Sequence, residues 1–503
     1  MTPPVTASPA VIDSLLPLLA VLMPLSGAVL IAASGRWPNL REAWTLLASI
    51  GTIGIVVTML PATLDDRQAQ TVLFDLVPGV PVALRADAAG MVFALLASIL
   101  WLATSVYSIG YMRSLQEHKQ TRYYAAFAIS IASALGVALA ANLLTFVLFY
   151  ELLTIATYPL VVHNETPEAV QAGRKYLAYT LSGGLALIGA TAWTYMLGLD
   201  MTFQAGGGLT SLAGNSPALW GLFGLLVFGV GVKAAVMPLH GWLPSAMVAP
   251  TPVSALLHAV AVVKAGAFGF VRVVGFLFGV ELLREMGAWE VLAGFAGSTL
   301  IISSLLAIRT DHLKRRLAYS TISHLSYIVL GTALLGPAAW VGAMLHIVGH
   351  GFTKITLFFC AGAIQVRTHR EYVSQMNGIG RQMPFTMAAF AAASLSMVGI
   401  PPFIMFASKW FLGIGAAEAQ QVYLFVYMIG GLLAAAYLLP IVFRAFLWRS
   451  PEFPSFGEAS PLMVGPLLIT AGLTLAWGLA PDIPLRFLEL AQEVALAVTG
   501  STP

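Results

Sequence analysis

The sequence predicts an all-α polytopic membrane protein of about fourteen transmembrane helices, on three observations. Of its 503 residues, 58% are apolar and only 9% charged, against roughly 25% charged in an ordinary soluble domain. Apolar runs of about 20 residues, the length that spans a bilayer, recur from one end to the other. The basic residues also sort into alternate connections, as they should when the chain weaves back and forth.

Counting about 20 apolar residues per crossing places spans near 10–33, 40–62, 88–111, 122–140, 142–163, 175–198, 218–247, 253–276, 287–307, 314–334, 338–363, 384–416, 421–447 and 460–480. The first run has no Lys or Arg ahead of it, unlike a cleavable leader with a positive n-region, and reads as a retained span. The shortest connection falls near Ala141. With the N-terminus placed outside, sixteen of the 25 basic residues fall in inner connections, five (Arg67, Arg85, Arg272, Arg284, Arg486) in outer segments, and four within spans. That asymmetry puts both termini on the non-cytoplasmic face. The expected location is a prokaryotic cell (inner) membrane. The net charge of +3 includes no basic block, so nucleic acid is not expected as a partner. A single cysteine, Cys360, rules out an internal disulfide or a thiolate metal cluster.

Two spans are interrupted. The run near 218–247 contains Met237-Pro238-Leu239 and Leu243-Pro244, and that near 384–416 contains Gly399-Ile400-Pro401-Pro402. Proline removes a helix hydrogen bond and frees carbonyls, which lipid tolerates only beside protein or a water-filled cavity. A pair of such breaks in corresponding halves points to inverted repeats around a transport site.

The lysines read as intramembrane are Lys233, Lys264, Lys354 and Lys409, and the one acid read as intramembrane is Glu151. A charge at mid-bilayer costs about 2.5–3.5 kcal/mol on insertion scales, so these groups require partners or water. Snorkelling would excuse a lysine at a span end, but all four read as several residues inside. Removal from water disfavours the charged form of a lysine, which suits it to exchanging protons. A nearby carboxylate would reverse that bias, so a moving Glu151 could gate the transfer; a static ion pair locking two helices is the plainer reading. His346, His350 and Lys354 stand at i, i+4 and i+8, one helix stripe about 12 Å long. An i, i+4 His pair can hold a metal, yet its third position is Lys, and no metal is expected. Nucleotide, flavin, haem and iron–sulfur signatures are lacking, so no cofactor is expected either. Gly206-Gly207-Gly208 is not placed as a phosphate cradle. Ser320 and Ser323 could hydrate a proton path or bond to their own helix.

The segments Tyr150-Glu151-Leu152, Lys233 with Pro238-Leu239-His240-Gly241-Trp242-Leu243-Pro244-Ser245-Ala246, Ala249-Pro250-Thr251-Pro252-Val253-Ser254-Ala255-Leu256-Leu257-His258, and Gly399-Ile400-Pro401-Pro402 with Lys409 resemble the antiporter-like membrane subunits. That family is shared by respiratory complex I, Mrp-type cation/proton antiporters and membrane-bound hydrogenases. The resemblance covers roughly residues 85 to 450. It implies fourteen helices with two inverted five-helix repeats, each containing a broken helix, at Pro238 and at Pro401-Pro402. It implies Glu151 and Lys233 as a coupled pair in a first half-channel, Lys264 as the central lysine, and Lys409 in a second half-channel. His324, His346, His350 and Lys354 would form the connecting polar axis. Lysine at 409 tilts the resemblance toward the D-type component of Mrp antiporters or a hydrogenase-type subunit. With about one span after residue 450, the long lateral helix of the largest complex I relative is not expected.

These readings divide the chain into an N-terminal three-helix segment (1–111), a first repeat (112–276), a second repeat (277–450) and a C-terminal helix and tail (451–503). The expected function is proton translocation, with Na⁺ as a candidate exchanged ion, by one subunit among other membrane subunits. Its alternative is a membrane-arm subunit of a quinone-reducing NADH dehydrogenase or membrane-bound hydrogenase. A stand-alone solute carrier, an intramembrane enzyme and a purely structural arm are the remaining rivals.

Overall fold

The computed structural model describes residues 9–209 and 216–503. Its long helices are α1 (Leu16–Ala33), α2 (Pro38–Leu64), α3 (Ala88–Ser114), α4 (Gln120–Ala138), α5 (Leu143–Val161), α6 (Pro167–Met196), α7 (Pro217–Ala234), α8 (Thr251–Phe278), α9 (Ala288–Arg309), α10 (Leu313–Ala333), α11 (Pro337–Thr368), α12 (Pro384–Val398), α13 (Ile404–Ala419), α14 (Gln421–Leu447), α15 (Pro461–Leu479) and α16 (Phe487–Thr499). Among the described residues, ten of them are long and apolar enough to cross a membrane: this is a helical, integral membrane protein. The remaining expected spans coincide with α4, α6, α10 and the interrupted pair α12–α13.

Local chemistry sets these boundaries. Helices α2, α6, α7, α11, α12 and α15 have proline in their first turn, where its missing N–H is no loss. Side chains of Asp87, Asn142, Thr166 and Ser216 accept hydrogen bonds from the first-turn N–H groups of α3, α5, α6 and α7. The Asn142 cap, 2.8 Å from the Thr145 amide, is what divides α4 from α5 so abruptly.

Burial identifies the middle of the bundle. The apolar windows of α8 and α11 are wholly buried inside the protein, whereas that of α14 is only 33% buried. The two helices that carry Lys264 and the His346–Lys354 stripe are therefore surrounded by other helices, while α14 presents most of its surface outward.

Several features differ from the sequence reading. Strands β1 (Ala10–Asp13), β2 (Arg67–Val77) and β3 (Val80–Arg85) form a sheet in the order β1-β2-β3, with β1 parallel to β2 and β2 antiparallel to β3. The apolar residues at 10–13 therefore lie in a strand ahead of α1. The run near 218–247 is interrupted as expected, but ahead of Pro238: α7 stops at Ala234, where Ala235 takes a left-handed conformation (φ +55°), and only a short turn of helix follows at Trp242–Ser245. Helix α8 contains two stretches of i→i+5 hydrogen bonding, at Leu256–Val260 and Val271–Phe278, the local widening often found at functional sites. The C-terminal region holds two helices, α15 and α16, in place of one.

Candidate functional site

Helix α8 carries Lys264, whose side chain is fully buried. Its ammonium donates to the Ile347 carbonyl at 2.9 Å and lies 2.9 Å from His350 Nδ1. Both partners belong to α11. One turn earlier on that helix, His346 Nε2 stands 3.2 Å from His324 Nδ1 of α10, and His346 Nδ1 stands 3.0 Å from the Ser408 hydroxyl of α13. The rings of His324 and His350 are nearly parallel, 5.8 Å between centroids. His324 Nε2 and His350 Nε2 are buried and have no hydrogen-bond partner among the described residues. A neutral imidazole donates at one nitrogen and accepts at the other, so each ring can take up a proton on one edge and release one from the other.

The series continues to Lys409 through an aromatic ring. Tyr327 stacks on His324 and His346 at centroid distances of 5.1 and 5.0 Å, and the Lys409 ammonium lies 5.0 Å from the centroid of that tyrosine, within cation–π range. Lys409 donates to the carbonyls of Met397 and Val398, at 2.9 Å each. These belong to the last turn of α12, which Gly399 ends at φ +94°. A side chain at Gly399 would be strained there, and its Cβ would sit 2.7 Å from Lys409 Cδ. Lys354, further along α11, turns toward α10 and donates to the Ser320 hydroxyl at 2.9 Å and the Leu317 carbonyl at 3.3 Å. Ser320 in turn meets the Tyr437 hydroxyl at 3.0 Å.

Lys233 lies in the final turn of α7, closer to a helix end than its sequence suggests, yet it is fully buried. Its ammonium donates to the Tyr150 carbonyl and rests 3.4 Å from the centroid of the Tyr150 ring. Glu151, the next residue on α5, is half-buried, and its Oε1 has no hydrogen-bond partner among the described residues. The expected acid–lysine pair is thus present as neighbours on facing helices but not as a closed ion pair. Gly184 of α6 makes room for the carboxylate, because a Cβ there would collide with the carboxyl group of Glu151.

One reading needs correction. Arg272, grouped with the outer basic residues, is fully buried in α8. It is held by Asp87 at 2.5 and 2.9 Å and by the Ala138 carbonyl at 3.0 Å. Two further acids are buried at the start of helices, Asp87 as the cap of α3 and Glu42 near the start of α2, at 5% and 4% exposed. Tyr327 and Ser408 escaped the sequence reading, and Tyr150 was read only as part of a motif, because aromatic and hydroxyl residues are common in apolar helices. The available signal was their spacing, with Tyr150 and Ser408 adjacent to Glu151 and Lys409, and Tyr327 three residues beyond His324.

A family model described as NADH:quinone oxidoreductase/Mrp antiporter, TM, matches residues 140–434, a stretch that contains every one of the groups just placed around Lys264. The chain belongs to this family. Over 385 residues it is 33% identical to NADH-quinone oxidoreductase subunit N of Desulforudis audaxviator (strain MP104C), covering 74% of each chain. It is 34% identical over 390 residues to the A/B component of a probable K(+)/H(+) antiporter of Rhizobium meliloti (strain 1021), covering 74% of this chain but 37% of that much longer one. Its fold matches a chain in the structure of the Mrp complex from Dietzia sp. DQ12-45-1b, with a TM-score of 0.82, 21% identity, and coverage of 96% and 97%. The NADH:quinone oxidoreductase/Mrp family thus includes relatives from respiratory and antiporter complexes, and this chain is an antiporter-like subunit of that kind.

Proposed function

We propose that this subunit moves protons across the membrane within a larger assembly of membrane subunits, with Glu151, Lys233, Lys264, His324, His346, His350, Lys354 and Lys409 holding the proton in turn. The observation that carries this reading is the 2.9 Å approach of the Lys264 ammonium to His350 Nδ1, inside the two wholly buried helices. Two basic groups in direct contact away from water cannot both hold a proton cheaply, so a proton on one favours its release from the other. The four lysines hydrogen-bond to carbonyls, a hydroxyl and an imidazole, a solvation weaker than a carboxylate would give.

On this reading Glu151 and Lys233 form the first half-channel, and a change in their separation gates delivery to Lys264. The histidines and Lys354 form the axis, and Lys409 opens the second half-channel. Fourteen crossings, two inverted five-helix repeats at about 112–276 and 277–450, and termini on the non-cytoplasmic face of a prokaryotic cell membrane complete the proposal. The driver is external, and moving one charge against 100 mV takes about 2.3 kcal/mol, within reach of opening or closing a buried ion pair.

Lysine at 409 favours a cation/proton antiporter assembly of the Mrp type, with Na⁺ as an exchanged ion. A second reading, a membrane-arm subunit of a quinone-reducing NADH dehydrogenase or membrane-bound hydrogenase, is favoured by the identity to a subunit N over three quarters of the chain. Mass spectrometry of the subunits that copurify distinguishes the two. The proton path itself is tested by Lys264→Ala and Glu151→Ala in the reconstituted assembly: both should assemble and both should lose proton movement, and transport retained in both would overturn the reading.

A further inference from the structure

At the end of the bundle opposite the sheet, the connection from α3 to α4 lays Glu117 and His118 against His163, which follows the last turn of α5. One ligand atom from each of the three lies within 4.8 Å of the others. Glu117 Oε2 is 3.7 Å from His118 Nδ1 and 3.8 Å from His163 Nε2, and the two imidazole rings are 4.9 Å apart at their centroids. Ligands bound to one tetrahedral Zn²⁺ at about 2.0–2.1 Å stand about 3.3 Å from each other. Closing the triad around an ion therefore asks for only small shifts in two surface-loop side chains.

A second, independent feature points to a ligand. His163 is fully buried, and neither of its ring nitrogens has a hydrogen-bond partner among the described residues, an unusual condition for a buried polar group. Lys119 and Arg122, the cations beside the site, are each paired with Glu165 at 2.6 Å, and Arg122 also donates to the His163 carbonyl at 3.3 Å. Glu117 offers a carboxylate oxygen to the two rings, and exposed His118 gives an ion access from solvent.

We propose that Glu117, His118 and His163 form a binding site for a divalent transition-type cation of the Zn²⁺ class, with its remaining coordination position open to water. Two imidazoles and one carboxylate are a donor set that suits such an ion better than Mg²⁺ or Ca²⁺, which prefer oxygen. Because His163 stands two residues beyond α5, the ion would fasten the α3–α4 connection to the helix that bears Glu151. The site rests on its own contacts and is independent of the proton path.

The test uses the full chain, purified in detergent with any affinity tag removed and stripped with a chelator, titrated with Zn²⁺ by calorimetry and with Co²⁺ by visible absorption. One equivalent should bind, with the Co²⁺ spectrum of a low-coordinate nitrogen/oxygen site. His118→Gln and His163→Gln should each weaken binding on the order of 100-fold, while His369→Gln, at a histidine elsewhere on the surface, should leave it unchanged. Saturable binding that is absent, or that survives His118→Gln undiminished, overturns the proposal. His118 is exposed, so that variant decides the question even if the buried His163 variant folds poorly.

Discussion

The two helix breaks solve the same problem in opposite ways. After α7 ends, the Val232 carbonyl is taken by the Trp242 indole N–H at 2.8 Å, so Lys233 is left to a carbonyl and a ring borrowed from Tyr150 on α5. After α12 ends, no such indole intervenes among the described residues, and Lys409 itself takes the Met397 and Val398 carbonyls. The first lysine has a free carboxylate beside it and the second leans on Tyr327. The difference teaches where the proposed gate belongs: only the first lysine has a carboxylate beside it to move, while among the described residues Lys409 meets backbone carbonyls and a ring. Arg272 supplies the contrast for both, since this fold closes a buried cation into a bidentate carboxylate pair where a fixed charge is wanted.

That contrast sets the largest expected effect. Asp87→Ala leaves Arg272 buried and unpaired and should cost about 3–5 kcal/mol, read as loss of folded protein in detergent thermal unfolding; a neutral outcome would mean that fixed and mobile charges are not distinguished as described. Next comes Gly399→Ala, where left-handed strain of about 1–2 kcal/mol adds to displacement of the Lys409 side chain. The variant should assemble yet carry proton flux reduced at least tenfold, and wild-type flux would show that Lys409 need not sit on those carbonyls. The smallest effect is expected from Trp242→Phe, which removes one of the two hydrogen bonds to the Val232 carbonyl at about 1 kcal/mol and leaves the one from the Ala235 N–H, so flux should be nearly unchanged. A large flux loss there would make the first break a working part and erase the asymmetry between the halves.

Much of this was legible in the chain because lipid imposes simple rules. Apolar length gave helices at the expected places, and charges inside them stood out: His346 and His350 share a face as their spacing suggested, while Lys264 and His324, joined to them only by the family resemblance, do meet them. What could not be read has a common cause, namely that partners in space are distant in sequence. Nothing near Arg272 announces Asp87, 185 residues away. Lys354 lies on the stripe of His346 and His350, yet its rotamer takes it to Ser320 on another helix. The strand at Ala10–Asp13 was absorbed into an apolar run because its four residues carry no alternation that separates them from α1.

The central claim is that the nitrogen atoms of the buried histidines carry protons, and His346→Phe addresses it with little else changed. Phenylalanine keeps a ring against Tyr327, where the present rings are 8° from parallel, but removes the contacts to His324 and Ser408. Proton uptake into liposomes containing the assembled complex, followed with a pH-sensitive dye, should fall to the background of empty liposomes while the complex stays intact. Uptake at the wild-type rate would contradict the account.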